Sequence, residues 1–101
     1  MASGSRKVLF GTFEGEGAAD VEIKTLPFRP SAVELLNLDG LASATWVEGM
    51  ADATCVKEVT AGTKSAVASP NGITPLSTGF KLGQDGDLNV AGEKVFWKAY
   101  E

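Results

Sequence analysis

Thr78-Gly-Phe-Lys-Leu-Gly-Gln-Asp-Gly-Asp-Leu-Asn-Val-Ala-Gly-Glu-Lys-Val-Phe-Trp-Lys-Ala-Tyr-Glu101 closes the chain, and its reading decides the fold class. It predicts a short strand from Phe80 to Leu82, a polar Gly/Asp/Asn loop, and a strong strand from Lys94 to Tyr100. Side chains alternate across a strand, so Val95, Trp97 and Ala99 share one face. Lys94, Phe96, Lys98 and Tyr100 share the other. Bulky apolar groups on both faces predict a strand covered by its own domain on one side, and by the domain or a partner on the other.

The same alternation runs back through the chain. Lys7 to Phe13 reads as a first strand, with Val8 and Phe10 on one face and Leu9 and Phe13 on the other. Glu14-Gly-Glu-Gly17 turns it, and Val21 and Ile23 alternate with Asp20, Glu22 and Lys24 in a strand with one wet face. The short connection predicts a hairpin. Leu26-Pro-Phe-Arg-Pro30 interrupts the pattern, because two close prolines forbid a central strand. Ser31 to Leu38 resumes as a strand in preference to a helix, since it is short and bounded by Pro30 and Asp39-Gly40. Further strands are expected at Ala42 to Met50, Thr54 to Thr60 and Ser65 to Ala68. The turns between them fall at Gly49 to Asp52, Ala61-Gly62 and Ser69-Pro-Asn-Gly72, where Pro pre-sets φ and Gly accepts a positive φ. Ile73 to Leu76 runs extended into a closing hairpin.

About seven to nine short antiparallel strands at this turn spacing predict an all-β, single-domain β-sandwich or jelly-roll-like barrel. The domain spans residues 7–101, behind a flexible arm at residues 1–6. The expected core is Val8, Phe10, Val21, Ile23, Val33, Leu35, Trp46, Val56, Phe80, Leu82, Val95 and Trp97.

Composition excludes much chemistry. The 101 residues carry a net charge of −4, which argues against nucleic acid as a partner, since that binding neutralises phosphates with Lys and Arg. There is no histidine and a single cysteine, so no intrachain disulfide forms and no Cys–His pair exists. Cys55 is expected to be a buried, inert thiol. No apolar run is long enough to cross a bilayer as a helix, and the N-terminal residues lack the pattern of a signal peptide. Synthesis in a reducing host cytoplasm, with no membrane partner, is the expectation. Glu14-Gly-Glu-Gly17 is no phosphate cradle, because its carboxylates repel the anion and no Lys-Ser/Thr follows.

One loop and two tryptophans invite a ligand. Asp85, Asp87 and Asn89, with Glu93 nearby, are hard oxygen ligands at alternating positions. Val90 and Phe96 stand where an EF-hand requires Gly and Glu, so that site is excluded and a plain connecting loop is expected. Thirteen Asp and Glu residues produce neighbouring carboxylates by number alone, and no nucleophile–base set accompanies them. The chain is expected not to be an enzyme and to need no cofactor or metal. Trp46 and Trp97 could line a sugar groove, and core packing is the preferred expectation for both.

A framework remains: Gly11-Thr-Phe-Glu-Gly-Glu-Gly17, Phe28-Arg-Pro-Ser-Ala-Val-Glu-Leu35, Asp39-Gly-Leu-Ala-Ser-Ala-Thr-Trp-Val-Glu-Gly-Met50, and Gly79-Phe-Lys-Leu-Gly running through Asn89 and Gly92 to Ala99. It resembles small structural proteins of tailed bacteriophages, in which G-F-x-P-x-x-V precedes a strand and G-F-x-L-G-x-x-x-x-x-N-x-x-G leads into an aromatic closing strand. The resemblance implies a capsid decoration (cement) protein on the virion surface, binding the major capsid protein of the assembled shell as a homo-oligomer. The alternative is a tail-fibre or tail-tip domain that binds a host receptor or carbohydrate. Fibre domains usually sit in longer chains with stalk repeats, and none is present here, which favours decoration. The expected contact residues are Arg6 and Lys7 of the arm, and Phe96 and Tyr100 of the closing strand.

Overall fold

The computed structural model describes residues 7–59 and 62–101. Its strands are β1 (Val8–Glu14), β2 (Val21–Ile23), β3 (Ala32–Asn37), β4 (Ala42–Val47), β5 (Cys55–Glu58), β6 (Lys64–Val67), β7 (Ile73–Leu76), β8 (Gly79–Leu82) and β9 (Lys94–Tyr100). Among the described residues there is no α-helix. The strands form a six-stranded sheet, β1-β9-β3-β4-β5-β6, and a three-stranded sheet, β2-β8-β7. Every strand pairing is antiparallel. One core lies between the sheets, with Val33, Leu35, Val95 and Trp97 of the larger packing against Val21, Ile73, Phe80 and Leu82 of the smaller. Phe80 meets Trp97 edge-on across the interlayer, their centroids 5.6 Å apart at 73°, an arrangement that aromatic quadrupoles favour.

The closing strand lies inside the larger sheet, paired with β1 on one side and β3 on the other. Two expected hairpins do not form. β1 and β2 fall in different sheets, as do β8 and β9, so the loops after Glu14 and after Leu82 cross from one layer to the other. Buried Asn89 holds both crossings. Its Oδ1 accepts from the N–H groups of Glu16 (2.7 Å) and Gly17 (3.1 Å), and its Nδ2 donates to the carbonyls of Ala19 (2.8 Å) and Gly83 (2.9 Å). The side chain is thereby fully used, as burial of an amide requires.

Three expected core residues point outward instead: Val8, Phe10 and Val56. In β1 the inward set is Leu9, Gly11 and Phe13, because Gly11 pairs with Trp97 and leaves room for the indole that lies over it. A Cβ at Gly11 would collide with that ring. In β5 the inward residue is Cys55, which is buried, so its neighbour Val56 faces out. Ile23 is half-buried against the core. Gly72 has no positive φ; it is needed because a Cβ would strike the Thr54 backbone. Thr60 and Ala61, at the end of one predicted strand and in the turn after it, lie outside the described residues, as does the arm at residues 1–6.

Candidate interaction face

The outer faces of the two sheets differ in kind. On the smaller sheet, Glu22, Lys81 and Thr74 stand in one row across the strands. Lys24 pairs with Glu22 at 3.0 Å and Lys81 with Asp20 at 3.8 Å. That is the ordinary solvated back of an antiparallel sheet.

On the larger sheet, the register sets Phe10, Lys98, Glu34, Thr45, Val56 and Ala66 in one row. The flanking rows are Thr12, Phe96, Leu36, Ser43, Glu58 and Lys64, and Val8, Tyr100, Ala32 and Val47. Phe10 is 70% exposed, and Val8, Leu36, Val47, Val56 and Phe96 lie between 38% and 45%. Every exposed large apolar side chain among the described residues sits on this face, apart from Leu38 and Leu41 on the adjoining β3–β4 turn. The bulky residues crowd β1, β9 and β3, whereas β4 offers Ser43 and Thr45. The step between them is a depression of about 420 Å³ bordered by Phe10, Leu36, Thr45 and Phe96.

The charges at the centre of this face are paired. Lys98 lies 3.9 Å from Glu34 and 5.7 Å from the centroid of the Phe10 ring, over its face, and Tyr100 donates its hydroxyl to Glu34 at 3.0 Å. The face therefore offers apolar surface over β1, β9 and β3, with Glu58 and Lys64 as the charges at its β5–β6 end.

Of the predicted contact residues, Phe96 and Tyr100 both belong to this face, though Tyr100 is half-buried and committed to Glu34. Lys7 is exposed at the start of β1, where its N–H donates to a Glu101 carboxylate oxygen at 3.2 Å. Arg6 lies outside the described residues. Phe10, the most exposed large apolar residue, was expected in the core. Both parities of β1 are apolar, so only its long-range partner Trp97 decides which set turns inward. Trp46 and Trp97 are buried in the core, and Trp46 Nε1 donates to the Ala51 carbonyl at 3.2 Å.

The polar loop after β8 is built around a cation of the chain itself. Lys57 projects inward from β5, and its ammonium lies 2.9 and 3.1 Å from the two Asp85 oxygens and 2.7 Å from Asp87 Oδ2. Asp85 Oδ2 also accepts from the N–H groups of Asp87 (3.0 Å) and Leu88 (3.2 Å). Burial pulls the Lys57 pKa down, but the hydrogen bonds and charges of Asp87 and Asp85 outweigh it and hold the group above its ordinary 10.5. Glu93 is engaged elsewhere, accepting from Asn37 Nδ2 at 2.9 Å. Among the described residues no group of three or more His, Cys, Asp or Glu is placed to hold a metal. Cys55 lies close by; burial first, then Asp85, pushes its thiol from 9.0 up to about 11. A thiol so protonated is a poor nucleophile.

The closing motif is thus explained by architecture. Phe80 and Leu82 fill the core, Gly83 packs on the backbone of Pro70 and Asn71, Asn89 ties the crossings, and Gly92 turns at φ 80°. No family profile, no curated protein and no solved structure matches the chain.

Proposed function

We propose that the chain is a non-catalytic structural protein of a tailed-phage virion, a decoration protein that lays the outer face of its six-stranded sheet on the assembled head. One observation carries the docking surface: the exposed large apolar side chains concentrate on one sheet face while the opposite face is polar. Contiguous apolar patches on a soluble domain mark interfaces. The identity of the partner rests on the framework's resemblance to small phage structural proteins.

Size suits this role. Six strands at about 4.8 Å spacing, and some 20 Å long, present roughly 500 Å². A stable pairwise complex needs about 800 Å² per partner, so one such face makes a modest contact. Modest contacts suffice for cement, because a protein that binds only the assembled state stabilises that state by mass action. Joining the modules as homo-oligomers adds avidity. The test is co-sedimentation with assembled heads and with isolated capsid subunits of the same phage. Binding to heads far above binding to subunits is expected. Equal binding to both overturns the decoration role, and binding to host receptor or carbohydrate in place of heads supports the tail-fibre reading.

A further inference from the structure

The sheet edges are not equally protected. Exposed edges invite pairing with another chain, and proteins blunt them with Pro, charge or short strands. β7 carries Pro75 and is bridged at Ile73 to Thr54. β2 has three residues with Glu22 at its centre, and β6 has four and opens on Lys64. β1 is the remaining edge. It is seven residues long, pairs with β9 along its whole length, and has neither Pro nor charge before its last residue, Glu14.

The groups this edge leaves free follow from the ladder. Glu101 N–H donates to the Lys7 carbonyl and Gly15 N–H to the Glu93 carbonyl, each at 2.9 Å. Hydrogen-bonded pairs alternate along antiparallel strands, so Leu9, Gly11 and Phe13 exchange their bonds with β9. The N–H and C=O groups of Val8, Phe10, Thr12 and Glu14 point away from the sheet, and no described residue pairs with this edge.

We propose that the occupant of this edge is β1 of a second copy, paired antiparallel across a two-fold axis at Gly11. That register uses all seven residues. It sets Val8 of one copy opposite Glu14 of the other, and Phe10 opposite Thr12, so every outward N–H and C=O finds a partner. Charge selects the antiparallel sense: it brings the Lys7 end of one strand beside the Glu14 end of the other, whereas a parallel pair would set like charges together. Leu9 meets Phe13 of the other copy on the inner side. Because the axis is perpendicular to the sheet, both outer faces stay on one side and merge. The joined face presents roughly 1,000 Å², which exceeds the ~800 Å² per partner of a stable interface. The pairing itself does not depend on what that face binds.

Two measurements on the whole chain test this. Sedimentation velocity across micromolar to millimolar concentration should show a monomer–dimer equilibrium. Thr12→Pro removes an outward N–H and spares the β9 ladder, so it should raise the dissociation constant on the order of 30-fold or more, one main-chain bond being lost in each half. Amide exchange of the unaltered protein needs no variant. Leu9, Gly11 and Phe13 should be protected at every concentration, while Val8, Phe10, Thr12 and Glu14 become protected only as the dimer fills. A monomer at all concentrations overturns the proposal, as does a dimer in which those four amides exchange freely. Neither result bears on whether the outer face binds heads.

Discussion

Lys57→Met removes the cation from the loop after β8 and keeps most of the stem that packs on the core. The Lys57 side chain is 14% exposed, and its partners Asp85 and Asp87 are 9% and 50% exposed. The Asp87 contact is largely screened by solvent and contributes little. The Asp85 contact is buried, and stripping one partner from a buried pair costs about 3–5 kcal/mol because the other charge is left uncompensated. Asp85 Oδ2 keeps its bonds from the N–H groups of Asp87 and Leu88, so only Oδ1 is stranded. The expected loss is therefore at the low end, about 3 kcal/mol. Urea unfolding measures it as a lower midpoint at unchanged slope. Adding Asp85→Asn neutralises the stranded charge while preserving an acceptor for the two N–H groups, and should recover about half of the loss. A loss under about 1 kcal/mol, the range of surface ion pairs, would refute the view that this contact locks the loop to β5.

Two further outcomes follow from the core. Gly11→Ala drives a methyl into the Trp97 indole and should cost about 1–3 kcal/mol, as overpacking does; a variant with wild-type melting and unchanged Trp fluorescence would contradict the packing. Stability should also fall at alkaline pH, because Cys55 and Lys57 hold their protons more tightly folded than unfolded. For Cys55 the loss runs from about pH 9 to about 11 and amounts to roughly 3 kcal/mol at about 1.4 kcal/mol per pH unit. For Lys57 it begins above 10.5, as pH rises toward the higher folded value. Urea midpoints that stay level from pH 8 to 11 would contradict the Cys55 shift.

Strands are legible here because alternation is a local property. Lys94–Tyr100 can be read to its bounds, since both its faces are bulky and polar loops flank it. What a strand pairs with is not local. β1 and β2 are adjacent in the chain yet join different sheets, because β1 receives the Trp97 ring over Gly11 and Asn89 fastens the crossing loop. The same non-local contact decides that Phe10 faces out, so the exposed apolar face is only half legible in the sequence: Phe96 can be placed on it, whereas Phe10 cannot. Nothing local marks Lys57 as an inward cation, because its partner Asp85 is 28 residues away. Asn37 did leave a signal. It shares parity with Val33 and Leu35 in β3, and a polar residue in an inward position must be hydrogen-bonded. It accepts from the N–H groups of Asp39 and Gly40 and donates to Glu93 and to the Asp87 carbonyl.

The outer face of the six-stranded sheet is the centre of the functional account, and charge placed on it is the most direct test. Leu36→Lys and Phe96→Lys lie on β3 and β9 and not on the β1 edge strand itself, and both side chains already reach solvent, so melting temperatures should barely change. Occupancy on assembled heads should fall at least tenfold for each, while Lys81→Glu on the polar face of the smaller sheet should bind as the unaltered protein does. Full occupancy by both lysine variants, or loss of binding only with Lys81→Glu, would contradict the assignment of this face.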